Sequence, residues 1–104
     1  MHVKIGAAEN NRLVNVHKGD LLEIELDETP TAGYSWEVEN LDGSLLGLQS
    51  NEYNLYEGAG VGGGGLRRMV FLVTGQGKGS IRLKNAQRWS GDIYQRFEVN
   101  INSQ

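Results

Sequence analysis

Apolar and polar residues alternate with a period of two along much of this chain. No window holds apolar residues at i, i+3, i+4 and i+7 between good caps, so helices are not expected. Leu22, Ile24 and Leu26 share one strand face, with Glu23 and Glu25 on the other. Tyr34, Trp36 and Val38 oppose Ser35, Glu37 and Glu39, which predicts that Trp36 points into a core. Met69, Phe71 and Val73 oppose Val70 and Leu72, so this strand is apolar on both faces and is expected at the centre of a sheet. Ile81 and Leu83 oppose Arg82 and Lys84, and Phe97, Val99 and Ile101 oppose Glu98, Asn100 and Asn102. Shorter apolar stretches at Val3–Ile5, Leu13–Val16 and Leu46–Gln49 predict three weaker strands. Turn residues separate them at 17–20 (HKGD), 42–44 (DGS), 75–79 (GQGKG) and 90–92 (SGD). About eight short strands with such spacing predict an all-β sandwich.

Three stretches interrupt the alternation and are longer than a minimal turn: Thr29–Gly33 (TPTAG), Tyr56–Leu66, and Gln87–Tyr94 (QRWSGDIY). Each follows the previous one by two strands. Strands that run alternately up and down therefore bring all three loops to one end of the sandwich.

The middle loop carries the strongest compositional signal. Six of the eight residues from Gly58 to Gly65 (GAGVGGGG) are glycine. Glycine loses more conformational freedom on folding than any other residue, so packing alone does not call for such a run. A long flexible loop in a small domain is usually functional, and this one is read as a surface that shapes itself against another molecule.

The chain has 104 residues, which fits a single domain over 1–104 with a core of its own. Cysteine is absent, which excludes disulfides, thiolate metal sites and cysteine nucleophiles. No apolar stretch approaches the ~20 residues of a membrane span. The start, MHVKIG, lacks the apolar core of a signal peptide, so such a peptide is expected to be absent or already removed. That selects neither a cytoplasmic nor an exported location. Net charge is −3, which argues against a general nucleic-acid binder. The charge is unevenly spread: residues 1–66 hold 3 basic and 11 acidic side chains, and residues 67–104 hold 7 basic and 2 acidic. Such asymmetry can mark a basic binding patch, but the basic residues alternate within strands, so acidic early strands are expected to lie beside basic late ones.

Catalytic constellations are hard to find. Gly58-x-Gly60-x-x-Gly63 matches the dinucleotide fingerprint literally, but a glycine-rich tract does so by accident. The stretch that follows reads as a strand and offers no helix N-terminus for a pyrophosphate. No serine lies in G-x-S-x-G. His2 is terminal and His17 lies in a turn, and two distant histidines make no zinc site. Asp27 and Glu28 are adjacent on a strand, point to opposite faces and cannot straddle one bond; they are read as a solvated strand end. No cofactor, metal or enzymatic activity is expected.

Binding chemistry is better represented. Pro30 fixes its own φ and biases Thr29 toward extended backbone, and Gly33 can take positive φ to turn the chain into Tyr34. Thr31 is then presented at the tip. The glycine run offers its backbone to a partner. Trp89, between Arg88 and the turn residues Ser90-Gly91-Asp92, is expected to be exposed, and exposed Trp and Arg are favoured interface anchors.

The three loops together resemble the chagasin family of inhibitors of papain-like cysteine peptidases. That family carries N-P-T-T-G-[YF]-x-W, a G-x-G-G-type glycine loop and R-P-W, in this order. Here the order is kept as Thr29-Pro30-Thr31-Ala32-Gly33-Tyr34-Ser35-Trp36, Gly60-Val61-Gly62-Gly63-Gly64-Gly65 and Gln87-Arg88-Trp89. The similarity covers essentially the whole chain. Three departures stand out. Thr29 replaces the asparagine, which bears on how the first loop is held from within. Ala32 replaces the second threonine and removes a hydroxyl. Gln87-Arg88 replaces Arg-Pro, which loosens the third loop and shifts its charge to Arg88.

The resemblance implies an immunoglobulin-like β-sandwich that acts as a reversible, non-covalent inhibitor. The first loop would enter the peptidase cleft near its catalytic cysteine. The glycine loop would lie along the cleft as extended backbone, and Trp89 would stack on aromatic surface beside it. The implied partners are papain-like, cathepsin L-like peptidases, with no nucleic acid or membrane, and the implied state is a monomer. A competing reading is an immunoglobulin-like adhesion or carbohydrate-binding module, in which Trp89, Tyr53 and Tyr56 stack on sugar rings.

Overall fold

Strands with one apolar face need a second sheet to cover it, and the computed structural model has two. It describes residues 1–29, 33–58, 60 and 63–104. The strands are β1 (His2–Ile5), β2 (Leu13–Val16), β3 (Leu21–Glu28), β4 (Tyr34–Leu41), β5 (Leu46–Leu55), β6 (Gly65–Val73), β7 (Gly77–Gln87) and β8 (Ile93–Ser103). A single 3-10 turn at Ala7–Glu9 joins β1 to β2. One sheet has the order β1-β3-β6-β5 and the other β2-β8-β7-β4. The short edge strands β1 and β2 pair in parallel with β3 and β8, and every other pairing is antiparallel.

The predicted inward faces meet in the middle. Leu22, Ile24 and Leu26 of β3 and Met69, Phe71 and Val73 of β6 pack toward Ile81 and Leu83 of β7 and Phe97, Val99 and Ile101 of β8. Phe71, Phe97, Leu22 and Leu83 are all fully buried, each contributing about 1.5–3 kcal/mol by leaving water. As its two apolar faces predict, β6 is an interior strand. Trp36 is buried as expected, and its indole Nε1 donates to the Asp27 carbonyl at 2.9 Å. This satisfies the one polar atom of a large core side chain.

The uneven charge resolves into cross-strand pairs. On the outer face of the first sheet, Glu25 meets Lys4 at 2.8 Å and Arg68 at 3.1 Å, and Glu23 meets His2 at 2.9 Å. On the second sheet, Arg96 pairs with Glu39 at 3.0 Å and Lys84 with Glu37 at 3.5 Å.

Two elements extend beyond the pattern. β5 runs to Leu55, six residues past the predicted Gln49, because its register shifts between Leu48 and Ser50 and breaks the period of two. As an edge strand it also buries little after Leu46, so its remainder gives no apolar signal. β7 starts at Gly77, inside the predicted turn. The reading of Glu28 as a solvated strand end is overturned: its residue is only 2% exposed. The cause is the same alternation that buries Leu22, Ile24 and Leu26, carried one step further along β3.

Candidate functional site

The loops that follow β3, β5 and β7 leave the sandwich at the same end. Three ladder positions show this: Glu28 pairs with Gly65, Leu55 pairs with Gly65, and Tyr34 pairs with Gln87. The strand ends that carry the three loops are therefore neighbours.

In the first loop Thr29 is exposed, and its hydroxyl lies against Gly64 of the second loop. Pro30, Thr31 and Ala32 lie outside the described residues, and so does the expectation that Thr31 forms the tip. Gly33 takes φ +81°, the left-handed region expected of it. A Cβ at Gly33 would overlap the indole of Trp89, so this residue is the floor on which the tryptophan rests. Tyr34 is half-buried and donates its hydroxyl to Asp92 Oδ2 at 2.9 Å. That bond to a carboxylate, with some desolvation, pushes the Tyr34 phenol above its ordinary pKa. Tyr94 meets the Tyr34 ring edge-on at 6.0 Å.

In the second loop Gly60 is exposed, and its carbonyl accepts from the Gly63 N–H at 2.9 Å. Val61 and Gly62 lie outside the described residues. Gly63 and Gly64 are half-buried, and the Gly64 carbonyl accepts from the Tyr56 N–H at 3.2 Å. Gly65 is buried as the first residue of β6, where a Cβ would overlap the Asn54 carbonyl and the Tyr53 ring. It belongs to the scaffold rather than to the free loop. Tyr56 donates to the Asp27 carboxylate, which pushes its phenol pKa up and ties the second loop to the rim of β3.

In the third loop Gln87 closes β7. Its N–H donates to the Asp92 carbonyl at 2.8 Å, and its own carbonyl accepts from Gly91 at 2.9 Å. The side chains of Ser90 and Gln87 bond at 2.5 Å, and Ser90 Oγ accepts from the Asp92 N–H at 3.1 Å. Arg88 and Trp89 project from this braced turn, and Trp89 is 72% exposed. A large indole held in water over a glycine is an exposed apolar anchor.

Beneath the loops sits a polar cluster that sequence reasoning did not identify. The Glu28 carboxylate accepts two hydrogen bonds from Arg67, at 3.1 and 2.8 Å, and one from the Trp36 backbone N–H at 2.7 Å. The Glu28 carbonyl accepts from the Tyr53 hydroxyl at 3.1 Å. The Arg67 guanidinium lies 5.2 Å from the Tyr53 ring centroid and donates to Asn51 at 3.1 Å. Tyr53 is thus engaged on its face and its hydroxyl, which removes it as a platform for a sugar. The signal was present in the pattern: Arg67 shares the inward face of Met69, Phe71 and Val73 as Glu28 shares that of Leu26. Arg67 pairs with Leu26 in the ladder, one inward position from Glu28, and opposite charges at such diagonal inward positions point to an ion pair.

A groove of about 400 Å³ opens between this cluster and the third loop, with Trp89, Arg88 and Gly33 on one side and Arg67 and Tyr53 on the other. Among the described residues no group of three or more His, Cys, Asp or Glu side chains could hold a metal, and no helix is long and apolar enough to cross a membrane.

Comparison with known proteins agrees with this arrangement. The profile of the chagasin family peptidase inhibitor I42 matches residues 15–101. The chain is 27% identical to chagasin of Trypanosoma cruzi over 106 residues, covering 95% of this chain and 96% of that protein. The solution structure of amebosin superposes with a TM-score of 0.83 at 29% identity, over 100% of this chain and 99% of its own. EhICP2, a cysteine protease inhibitor from Entamoeba histolytica, superposes with a TM-score of 0.82 at 16% identity, over 99% and 95% of the two chains.

Proposed function

Because the chain belongs to the chagasin family of peptidase inhibitors, we propose that its three-looped end plugs the active-site cleft of a papain-like cysteine peptidase. The observation that carries this reading is convergence. A Cβ at Gly64 would press on the Thr29 hydroxyl, Gly33 lies under Trp89, and Trp89 is exposed at the same end of the sandwich.

Residues 29–34 occupy the centre of the proposed contact. Gly60 to Gly64 lie along the cleft, where glycine lets the two backbones come close and pair as extended chains do. Trp89 and Arg88 grip the opposite side. The chain has no cysteine, so no mixed disulfide with the peptidase thiol can form, and the proposed mode is occlusion by non-covalent contact. A scaffold that already holds the loop roots limits the ordering cost of binding. A footprint near ~800 Å² on each partner is the size expected for a protease–inhibitor complex.

Titration of papain with the protein, with trypsin as the serine-peptidase control, tests the reading. Stoichiometric, reversible loss of papain activity with trypsin untouched is expected. Full papain activity at a large excess of the protein would contradict it.

A further inference from the structure

We propose that Glu28 is the positioning residue that fixes the roots of the first and second loops, acting through Arg67, Trp36 and Tyr53. Its four hydrogen bonds reach every strand from which those loops spring. Glu28 is the last residue of β3, immediately before the first loop. Its carboxylate holds the Trp36 N–H on β4, just after that loop returns and in the opposite sheet. Its carbonyl holds Tyr53 on β5, before the second loop, and its carboxylate holds Arg67 on β6, after it.

The geometry is that of a built site. The Glu28 side chain is 1% exposed and that of Arg67 16%, and a bidentate guanidinium fork fixes direction as well as distance. Three donors converge on one buried carboxylate, and any lateral shift of β3 against β4 would break at least one of their bonds. Burying a charge pair is a poor route to stability alone, while its directionality can specify one arrangement out of several. The family motif has asparagine where this chain has Thr29. Here the hold on the loop root comes from the residue before it.

This inference rests on the inhibitory reading for its consequence and for one of its two readouts, the association rate, while the other, amide exchange, is independent of it. Two variants are compared with the wild type: Glu28→Gln, which keeps shape and loses charge, and Arg67→Lys, which keeps charge and loses the fork. All are studied at a temperature where circular dichroism shows them folded. If Glu28 pre-sets the loops, the variants lower the association rate constant for papain about tenfold, in proportion to the competent fraction, and change dissociation little. Loss of a direct contact, as in Trp89→Ala, should instead raise the dissociation rate.

Amide exchange supplies a readout that needs no peptidase. The Tyr56 and Gly63 amides, bonded within the second loop, should exchange about tenfold faster in both variants, while Leu83 and Val99 in the core stay protected. Unchanged association and unchanged loop exchange in a folded variant would overturn the proposal. Should Glu28→Gln fail to fold, Arg67→Lys decides by the same two readouts. A wild type that leaves papain untouched defeats the inhibitory reading, and the exchange pattern then still supports or overturns the role of Glu28.

Discussion

The two ends of the sandwich close in different ways. At one end the β2–β3, β4–β5 and β6–β7 turns are short and bound to one another through the backbone. The Gly19 N–H donates to the Val73 carbonyl at 2.8 Å, and the Thr74 and Gly75 N–H groups donate to the Leu45 carbonyl at 2.7 and 3.3 Å. Leu45 plugs that end at 3% exposure. At the other end the loops are longer and meet through side chains: Tyr34 with Asp92, Tyr56 with Asp27, and Glu28 with Arg67. Trp89, on the third of these loops, is left in water. Backbone closure leaves polar turn residues such as His17, Lys18 and Ser44 at the surface. Side-chain bracing at the roots holds the loops in place while their outer residues stay available.

Substitutions at the core, at the rim and in the braces should separate these roles. The largest effect belongs to the core. Phe97→Ala removes a 2%-exposed ring and should destabilise the fold by about 3–5 kcal/mol in chemical denaturation, while the fraction still folded inhibits as well as wild type. Trp89→Ala should do the reverse. It weakens peptidase binding by about 2 kcal/mol, roughly thirtyfold, in the inhibition constant. Because the indole is exposed, stability should stay within about 0.5 kcal/mol of wild type. An unchanged inhibition constant would remove Trp89 from the contact.

Gly33→Ala lies between the two. Its positive φ costs an alanine roughly 1–2 kcal/mol, and the added methyl displaces the indole above it. Both the melting temperature and the inhibition constant should worsen, which marks Gly33 as part of the support for Trp89. Tyr34→Phe deletes only the bond to Asp92 and should cost at most about 1 kcal/mol, read as a small rise in the dissociation rate.

The smallest effect is the response to acid. Lys4 holds the Glu25 carboxyl below its ordinary pKa, and Arg96 does the same for Glu39. A depressed carboxylate pKa means that the unfolded chain takes up protons first. The stability these groups contribute is present above the ordinary glutamate value of ~4.3 and is lost as pH falls through the lower folded values. Denaturation midpoints should therefore hold from neutral pH to the upper edge of that range and decline below it. A midpoint that rose on acidification would contradict this.

Much of this was legible in the chain. Period-two alternation identified the inward faces of β3, β6, β7 and β8, and strand order placed the three loops at one end. The full length of β5 is not legible, because a bulge resets its alternation and an edge strand buries few side chains to signal its length. Burial of Glu28 runs against the usual solvation of a carboxylate beside a loop. Its position on the Leu22-Ile24-Leu26 face carries the correct answer, and the donors from Arg67 and the Trp36 N–H make that position tenable. The contact between Gly33 and Trp89, 56 residues apart in sequence, depends on how two strands from one sheet end and has no local signature.

The central claim is that one end of the molecule is the inhibitory surface. Amide exchange of this protein, free and bound to papain, tests it most directly. Protection confined to residues 29–34, 56–64 and 87–94 is the predicted result. Protection at the opposite end, around Gly19, Ser44 and Gly75, with the three loops unchanged, would contradict the account.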